Sequence, residues 1–152
     1  MIYLDHAATT PVLREALEAA WPFLTSDYGN ASSQHELGKQ ASRALEDARA
    51  LAASALGCRA AELVFTSGAT ESINTALVGM ALAAPRGKHI ITAATEHEAT
   101  LQTVEFLQRI HGFDVTMLPV GRDGAISGED LRAALRPDTT LVSLMLVNNE
   151  IG

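Results

Sequence analysis

The sequence predicts an α/β fold in which helices pack on a sheet that is at least partly parallel. Strand-like segments alternate with helix-like segments from residue 62 to residue 147, and such alternation is typical of parallel sheets. Residues 140–147 form a continuous apolar run, which is the pattern of a strand buried on both faces. With 152 residues, 47% of them apolar, the chain is long enough to bury one substantial core.

The first half of the chain is predicted to contain two helices. Thr10 is placed to cap a helix over residues 11–24, whose first residue is a proline. After a polar loop, Ser33 and Glu36 form a capping box, which predicts a long helix that ends at Gly57. Apolar residues recur along this helix at spacings of three and four and form one stripe: Leu37, Ala41, Ala44, Leu45, Ala48, Leu51, Ala52 and Ala55.

Beyond Gly57, strands and helices are predicted in alternation. Strands are expected at residues 62–66, 89–93, 114–120 and 140–147. Helices are expected at residues 72–84 and 99–111, and a short helix capped by Ser127 should end by Pro137.

The charge and hydropathy of the chain exclude several classes of partner. Eighteen acidic residues against eleven basic ones give a net charge of -7, so no basic stripe is available for a nucleic-acid backbone. The longest apolar run, residues 76–84, is far shorter than the roughly 20 residues of a membrane span. The N-terminus lacks the basic start and apolar stretch of a signal peptide. We therefore expect a cytoplasmic protein that contacts neither nucleic acid nor membrane directly.

Metal and disulfide chemistry have no support in the sequence. Cys58 is the single cysteine, which excludes an internal disulfide and a multi-cysteine metal site. The five histidines are scattered, and no pair has metal-ligand spacing on one helix face. The sequence therefore predicts no metal site.

Three polar segments follow predicted strands, so we expect them at the carboxyl edge of the sheet, where α/β proteins bind ligands. Ala69 and Thr70 lie in a turn of small residues just before a helix predicted to begin near residue 71 or 72, and the free N–H groups of a helix's first turn favour an anion such as phosphate. His97 follows the second predicted strand, and its imidazole can stack on an aromatic ligand or move a proton. Asn149 follows the last strand, and its amide can donate to a phenolate or carboxylate oxygen.

Each segment also has a plain structural interpretation. Residues 67–71 suit an ordinary helix start, His97 a surface position between two acids, and Asn149 a turn. The convergence of three such segments on one crevice is what favours a binding site.

Five motifs resemble, in order and spacing, the N-terminal portion of the cysteine desulfurases, which are members of the class V aminotransferase family. They are YLDHAATTP at residues 3–11, GNASS at 29–33, TSGATES at 66–72, TEH at 95–97 and VNNEIG at 147–152. Together they extend over the whole chain, and five motifs in register are far more specific than any one of them.

The resemblance implies a fold and a division into domains. The expected fold is part of the three-layer large domain of fold-type I pyridoxal-phosphate enzymes, with a mostly parallel sheet and flanking helices. Residues 1–15 are expected to be an N-terminal arm that belongs to the small domain. Residues 16–152 are expected to be an incomplete cofactor-binding large domain.

The resemblance also implies a cofactor, pyridoxal 5'-phosphate, and roles for four residues. Ala69 and Thr70 look like the pair that binds the cofactor phosphate. His97 looks like the catalytic histidine that stacks on the pyridine ring and handles protons. Asn149 looks like the asparagine that hydrogen-bonds the ring oxygen and lies near the substrate carboxylate.

The activity implied by the resemblance is removal of sulfur from L-cysteine to give L-alanine and an enzyme persulfide. The sulfur then passes to an acceptor or scaffold protein, for iron-sulfur cluster assembly or tRNA thiolation, and the intact enzyme is expected to be a homodimer. Two alternatives remain open. One is a selenocysteine lyase or another class V aminotransferase, and the other is a non-catalytic scaffold or half of a split enzyme.

In the cysteine desulfurases, several catalytic residues follow the segment that this chain resembles. They are the Schiff-base lysine, the aspartate that pairs with the pyridine nitrogen, the arginine for the substrate carboxylate and the nucleophilic cysteine. Lys39 lies on the long predicted helix and Lys88 precedes a strand at its amino end, so neither is placed to act as the Schiff-base lysine. We therefore expect the chain to be a fragment that is inactive by itself.

Overall fold

The computed structural model describes residues 2–83 and 85–152. The chain divides into two compact units, Met1–Phe65 and Thr66–Gly152, which are described in turn. The expected division into an arm at residues 1–15 and a large domain at 16–152 stays a prediction.

The first unit is helical. It contains α1 (Arg14–Thr25), α2 (Glu36–Leu56) and a short 3-10 turn, Ala60–Glu62. Helix α2 ends at Gly57, whose φ of 69° is the left-handed conformation that glycine adopts without strain, so the predicted end is confirmed.

The predicted starts of both helices in this unit are wrong by a few residues. Helix α1 begins at Arg14 and not at Pro11, and Leu13 precedes it without a side-chain cap. Thr10 does not cap it, because an exposed helix start can leave its N–H groups to water.

The predicted capping box at the start of α2 is also wrong. His35 is the N-cap of α2, and its Nδ1 accepts from the Gly38 N–H at 3.3 Å. Ser33 belongs instead to a turn in which its N–H donates to the Asn30 carbonyl at 2.9 Å. Gly38 packs so closely on this turn that an added Cβ would collide with the Ser33 carbonyl, which explains the glycine.

The strand predicted at residues 62–66 is not formed. The Arg49 guanidinium donates to the Leu63 carbonyl at 2.7 Å and lies 4.9 Å from the centre of the Phe65 ring. The segment is therefore held by a side chain of α2 and not by a neighbouring strand, which its apolar composition could not reveal.

The second unit contains a three-stranded parallel sheet with flanking helices, so the predicted α/β class is confirmed. Its elements are, in chain order, α3 (Ala69–Ala83), β1 (His89–Ala93), α4 (Glu98–His111), β2 (Asp114–Leu118), α5 (Gly128–Ala134) and β3 (Thr139–Val142). The strand order is β2-β1-β3, with both pairs parallel. Helices α3 and α4 pack together, and their inner faces share one core with the sheet: Leu77, Ala81, Ile90, Val104, Leu107, Phe113 and Leu141.

Several predicted elements of this unit have different bounds, since α4 begins one residue early at Glu98 and β2 ends at Leu118 and not at residue 120. Helix α3 begins at Ala69, three residues early, because the Glu71 carboxylate accepts from the Ser67 N–H at 2.7 Å and so holds the preceding turn. Ala84, the last residue of the predicted helix, lies outside the described residues.

The last strand is shorter than predicted and is not buried on both faces. It ends at Val142, which is exposed, while Leu141 is buried in the core. The chain then leaves the sheet, and Leu146 is 98% exposed. An apolar run therefore predicted the strand but not the point at which it ends.

The central strand is fixed by a buried histidine at its amino end. The two ring nitrogens of His89 lie 2.8 Å from the hydroxyls of Thr139 on β3 and Thr116 on β2. Burial and the nearby Arg136 guanidinium lower the pKa of His89, although Asp138 and Asp114 oppose this. Across residues 2–83 and 85–152, no helix has the length and apolar character to cross a membrane.

Candidate functional site

Two of the predicted site residues, Thr70 and His97, line one open cavity of about 510 Å³. Thr70 lies in the first turn of α3, and His97 immediately precedes α4. Both helices therefore present their N-terminal ends to this cavity, and the helix dipoles make it favourable for an anion.

The first turn of α3 has free hydrogen-bond donors. Among the described residues, no group accepts from the N–H groups of Ala69 and Thr70 or pairs with the Thr70 hydroxyl. The Glu71 carboxylate is occupied by the Ser67 N–H and hydroxyl, at 2.7 and 2.6 Å, and these bonds lower the pKa of Glu71. This turn can therefore bind a phosphate through two amides and a hydroxyl.

His97 has a structural role as well as a position on the cavity. It is the N-cap of α4, and its Nδ1 accepts from the Ala99 N–H at 3.0 Å. The side chain is exposed, so one edge and the faces of the ring remain accessible. His97 can therefore cap α4 through Nδ1 and still contact a ligand in the cavity.

Asn149 is not brought to the same cavity. It is exposed, it is absent from the residues described as lining the cavity, and its amide donates to Glu150 Oε1 at 3.0 Å. The preceding residue, Asn148, forms a turn in which its Oδ1 accepts from the N–H groups of Glu150 and Ile151, at 2.8 and 3.1 Å.

The segment that carries Asn149 is nevertheless tied to the loop that carries His97. Glu96, which is 8% exposed, accepts the Met145 N–H on its Oε1 at 2.5 Å. The Asn148 amide donates to the Thr95 carbonyl at 2.7 Å. The loops after β1 and β3 are thus joined by two hydrogen bonds at the carboxyl edge of the sheet.

The sequence did not indicate the structural role of Glu96. It also did not indicate the contact between two polar residues on α3 and α4, Asn74 and Thr103. Asn74 donates to the Thr70 carbonyl at 2.9 Å and accepts from the Thr103 hydroxyl at 2.9 Å. The spacing of four residues between Thr70 and Asn74 could have indicated the first bond. Nothing in the sequence distinguishes Glu96 from the other acids around His97.

The class V aminotransferase family matches residues 2–152. The chain belongs to this family. The predicted resemblance to the cysteine desulfurases is confirmed, and family members are pyridoxal-phosphate enzymes.

Named relatives and solved structures agree with the assignment. The chain is 49% identical over 152 residues to cysteine desulfurase IscS of Dictyoglomus turgidum, covering 99% of this chain and 38% of that protein. It is similar to a solved NifS-like protein with a TM-score of 0.94 and 40% identity, covering 99% of this chain and 42% of that one. A structure of SspA in complex with cysteine has a TM-score of 0.90 at 40% identity, covering 97% of this chain and 43% of that one.

These likenesses confirm the expected fold, part of an α/β domain of the kind found in cysteine desulfurases. The chain spans about 38% of the length of the named relatives that it matches. The described residues fit the family cofactor in two respects, because free amides beside a hydroxyl suit its phosphate and the His97 ring lies on the same cavity. The described cavity lining includes no lysine, and Lys88 Nζ donates to the His111 carbonyl at 2.7 Å.

Proposed function

We propose that the protein containing this chain is a pyridoxal-phosphate-dependent cysteine desulfurase. It would remove sulfur from L-cysteine and give L-alanine and an enzyme-bound persulfide. The observation that carries the proposal is that Thr70 and His97 line one cavity in a chain that aligns over 99% of its length with cysteine desulfurases. The similar SspA structure in complex with cysteine supports L-cysteine as the substrate.

The first turn of α3 holds the cofactor phosphate in this proposal. The N–H groups of Ala69 and Thr70 and the Thr70 hydroxyl donate to its oxygens, and the dipole of the 15-residue helix favours its negative charge. When bound, pyridoxal phosphate supplies an electron sink for negative charge that develops at the substrate α-carbon.

His97 would stack on the cofactor ring and would hold or transfer a proton at a defined atom. Since Nδ1 accepts the Ala99 N–H, the neutral imidazole carries its hydrogen on Nε2. Proton exchange with the substrate therefore takes place at Nε2, while Nδ1 keeps the ring oriented at the start of α4.

In this proposal Asn149, which does not line the described cavity, would donate its amide to the ring oxygen of the cofactor from the loop after β3, near the substrate carboxylate. Its present partner is the neighbouring Glu150 carboxylate, an exposed contact that a ligand oxygen can replace. Glu96 and Asn148 support this role because they anchor the segment on which Asn149 lies.

The remaining catalytic groups are proposed to come from the part of such a protein that this chain does not span. They are the Schiff-base lysine, the nucleophilic cysteine, and the groups for the pyridine nitrogen and the substrate carboxylate. The protein would act as a cytoplasmic homodimer and pass sulfur to an acceptor or scaffold protein, for iron-sulfur cluster assembly or tRNA thiolation.

The proposal is tested on the protein expressed from its complete reading frame. L-alanine and sulfide are measured from L-cysteine, and selenide from L-selenocysteine, with the 152-residue chain assayed in parallel. We expect activity with L-cysteine from the longer protein and no alanine above a no-protein control from the chain alone. Turnover of selenocysteine without cysteine turnover would favour a selenocysteine lyase, and turnover of neither would contradict the proposal.

Two substitutions test the assigned residues in that protein. Thr70→Ala should weaken binding of pyridoxal 5'-phosphate by about tenfold, because a hydroxyl bond to a charged group is lost, and should leave binding of pyridoxal unchanged. Thr75→Ala, an exposed threonine of the same helix, is the matched control. His97→Ala should lower kcat by at least about a hundredfold if His97 transfers a proton.

A further inference from the structure

A path of polar contacts joins the first turn of α3 to the start of α4. The Asn74 amide donates to the Thr70 carbonyl, and its Oδ1 accepts from the Thr103 hydroxyl, both at 2.9 Å. The Thr103 hydroxyl also lies 2.7 Å from the Ala99 carbonyl, so its single hydrogen is shared between these two acceptors. The Ala99 N–H in turn donates to His97 Nδ1 at 3.0 Å. The path therefore begins at one candidate cofactor contact and ends at the other.

The burial of the path differs between its two side chains. Thr103 is 3% exposed, so its hydroxyl is removed from water and depends on its two protein partners. Asn74 is exposed and lines the same cavity as Thr70 and His97. Thr103 lines this cavity as well, so the contact between Asn74 and Thr103 lies in the cavity wall.

This bond supplies a restraint that the apolar contacts of α3 and α4 lack. Leu77 and Val104 pack in the shared core and hold the two helices at a fixed separation. Apolar packing is non-directional, so it sets the distance between helices more tightly than their rotation or sliding. A directional bond between Asn74 and Thr103 fixes the axial position of one helix relative to the other.

We infer that Asn74 and Thr103 are positioning residues that set the spacing between the phosphate-binding turn at Thr70 and the imidazole of His97. The inference rests on the proposed function. The phosphate and the ring of the cofactor are joined by a short methylene–oxygen arm of limited reach, so both contacts can be made together only if the two helix starts are correctly spaced. A ligand that uses one of the two contacts has no such requirement.

The test compares two substitutions at Thr103 in the protein expressed from its complete reading frame. Thr103→Val removes the hydroxyl and keeps the shape, whereas Thr103→Ser keeps the hydroxyl. We expect Thr103→Val to raise the Kd for pyridoxal 5'-phosphate by about five- to tenfold, and Thr103→Ser by about twofold or less. The circular dichroism of the bound cofactor should change in Thr103→Val and return in Thr103→Ser.

Inorganic phosphate provides the matched probe, because it uses the Thr70 turn alone. Its Kd, measured by competition with pyridoxal 5'-phosphate, should be the same in Thr103→Val and in the unsubstituted protein. An equal loss of phosphate and cofactor affinity would overturn the inference, since it would indicate damage to the turn itself.

Asn74→Ala is the second variant, and it decides the matter if Thr103→Val fails to fold, because Asn74 is exposed. Its effect on cofactor affinity and dichroism should resemble that of Thr103→Val, and the double variant should be no worse than either alone. Unchanged affinity and dichroism in both single variants would overturn the inference and leave the proposed function standing. Failure of the unsubstituted protein to bind the cofactor would overturn both.

Discussion

The two units of the chain bury their apolar residues to very different degrees. In the second unit Ile90, Ile91 and Leu107 are completely buried. In the described part of the first unit the buried residues are Gly38 and Ala53, both small. The first unit is therefore held together mainly by caps, turns and single side-chain contacts, and the second mainly by a core.

Helix α2 shows what this difference means. Its apolar stripe has the spacing of a helix that packs on a core, yet Leu37, Leu45 and Leu51 are 42%, 40% and 75% exposed. The spacing of apolar residues shows which face of a helix is apolar. It does not show which other element packs against that face.

Paired leucine substitutions should give the largest contrast between the units. Leu107→Ala removes a completely buried side chain and should lower the free energy of unfolding of the second unit by about 2–5 kcal/mol. Leu45→Ala on α2 should cost about 1 kcal/mol or less, because the side chain is already 40% exposed. Urea unfolding of the 152-residue chain, followed by circular dichroism, measures both. Equal losses of unfolding free energy in the two variants would contradict the difference in burial between the two units.

Between about pH 6.5 and 5, the pH dependence of stability should be smaller in size and should arise in the second unit. Burial lowers the pKa of His89 in the folded chain, so the unfolded chain binds more protons as the pH falls below about 6.5. Stability is therefore present above this pH and decreases toward the folded pKa, by at most about 1.4 kcal/mol per pH unit for one proton.

His89→Gln tests that assignment. The substitution should flatten the stability profile between about pH 6.5 and 5, a range in which carboxylates remain mostly charged. Gln40→Ala, which replaces an exposed residue of the first unit that does not titrate, is the control and should leave the profile as it was. A profile that keeps its slope in His89→Gln would assign the effect to another group.

Glycine substitutions at two helix ends should have the smallest effect, and it should be similar in both units. Gly57 after α2 and Gly112 after α4 both have a φ of 69°, and an added Cβ meets no atom closer than 3.7 Å. Replacing either by alanine should cost about 1 kcal/mol through backbone strain alone. Hydrogen exchange of each helix measures the cost locally. A much larger loss at Gly112 would mean that packing, not backbone conformation, sets it.

Much of the second unit could be predicted because its signals are local. Strand β1 has the predicted bounds, and Ser127 caps α5 through the N–H groups of Glu129 and Asp130. The errors arise where a distant or neighbouring group replaces the local signal. Arg49 holds the segment predicted as a strand, and His35 takes the capping position expected of Ser33.

The candidate site also has some features that local sequence signals predict and others that depend on distant contacts. Thr70 and His97 lie near helix starts that the sequence indicates, although α3 begins three residues earlier than predicted, and the structure places both on one cavity. The contacts of Glu96 with Met145 and of Asn74 with Thr103 join residues 49 and 29 positions apart. Such contacts depend on how the elements pack, and no spacing in the sequence predicts them.

The strand order β2-β1-β3 also has a consequence for synthesis of the chain on the ribosome. The central strand is made first, and its two hydrogen-bonding partners for His89 follow 27 and 50 residues later. At about 5–20 residues per second, β1 waits for several seconds with at least one edge unpaired and with Ile90 and Ile91 uncovered. The nascent chain therefore passes through a stage in which the strand that is most buried in the folded chain is available to chaperones or to other nascent chains.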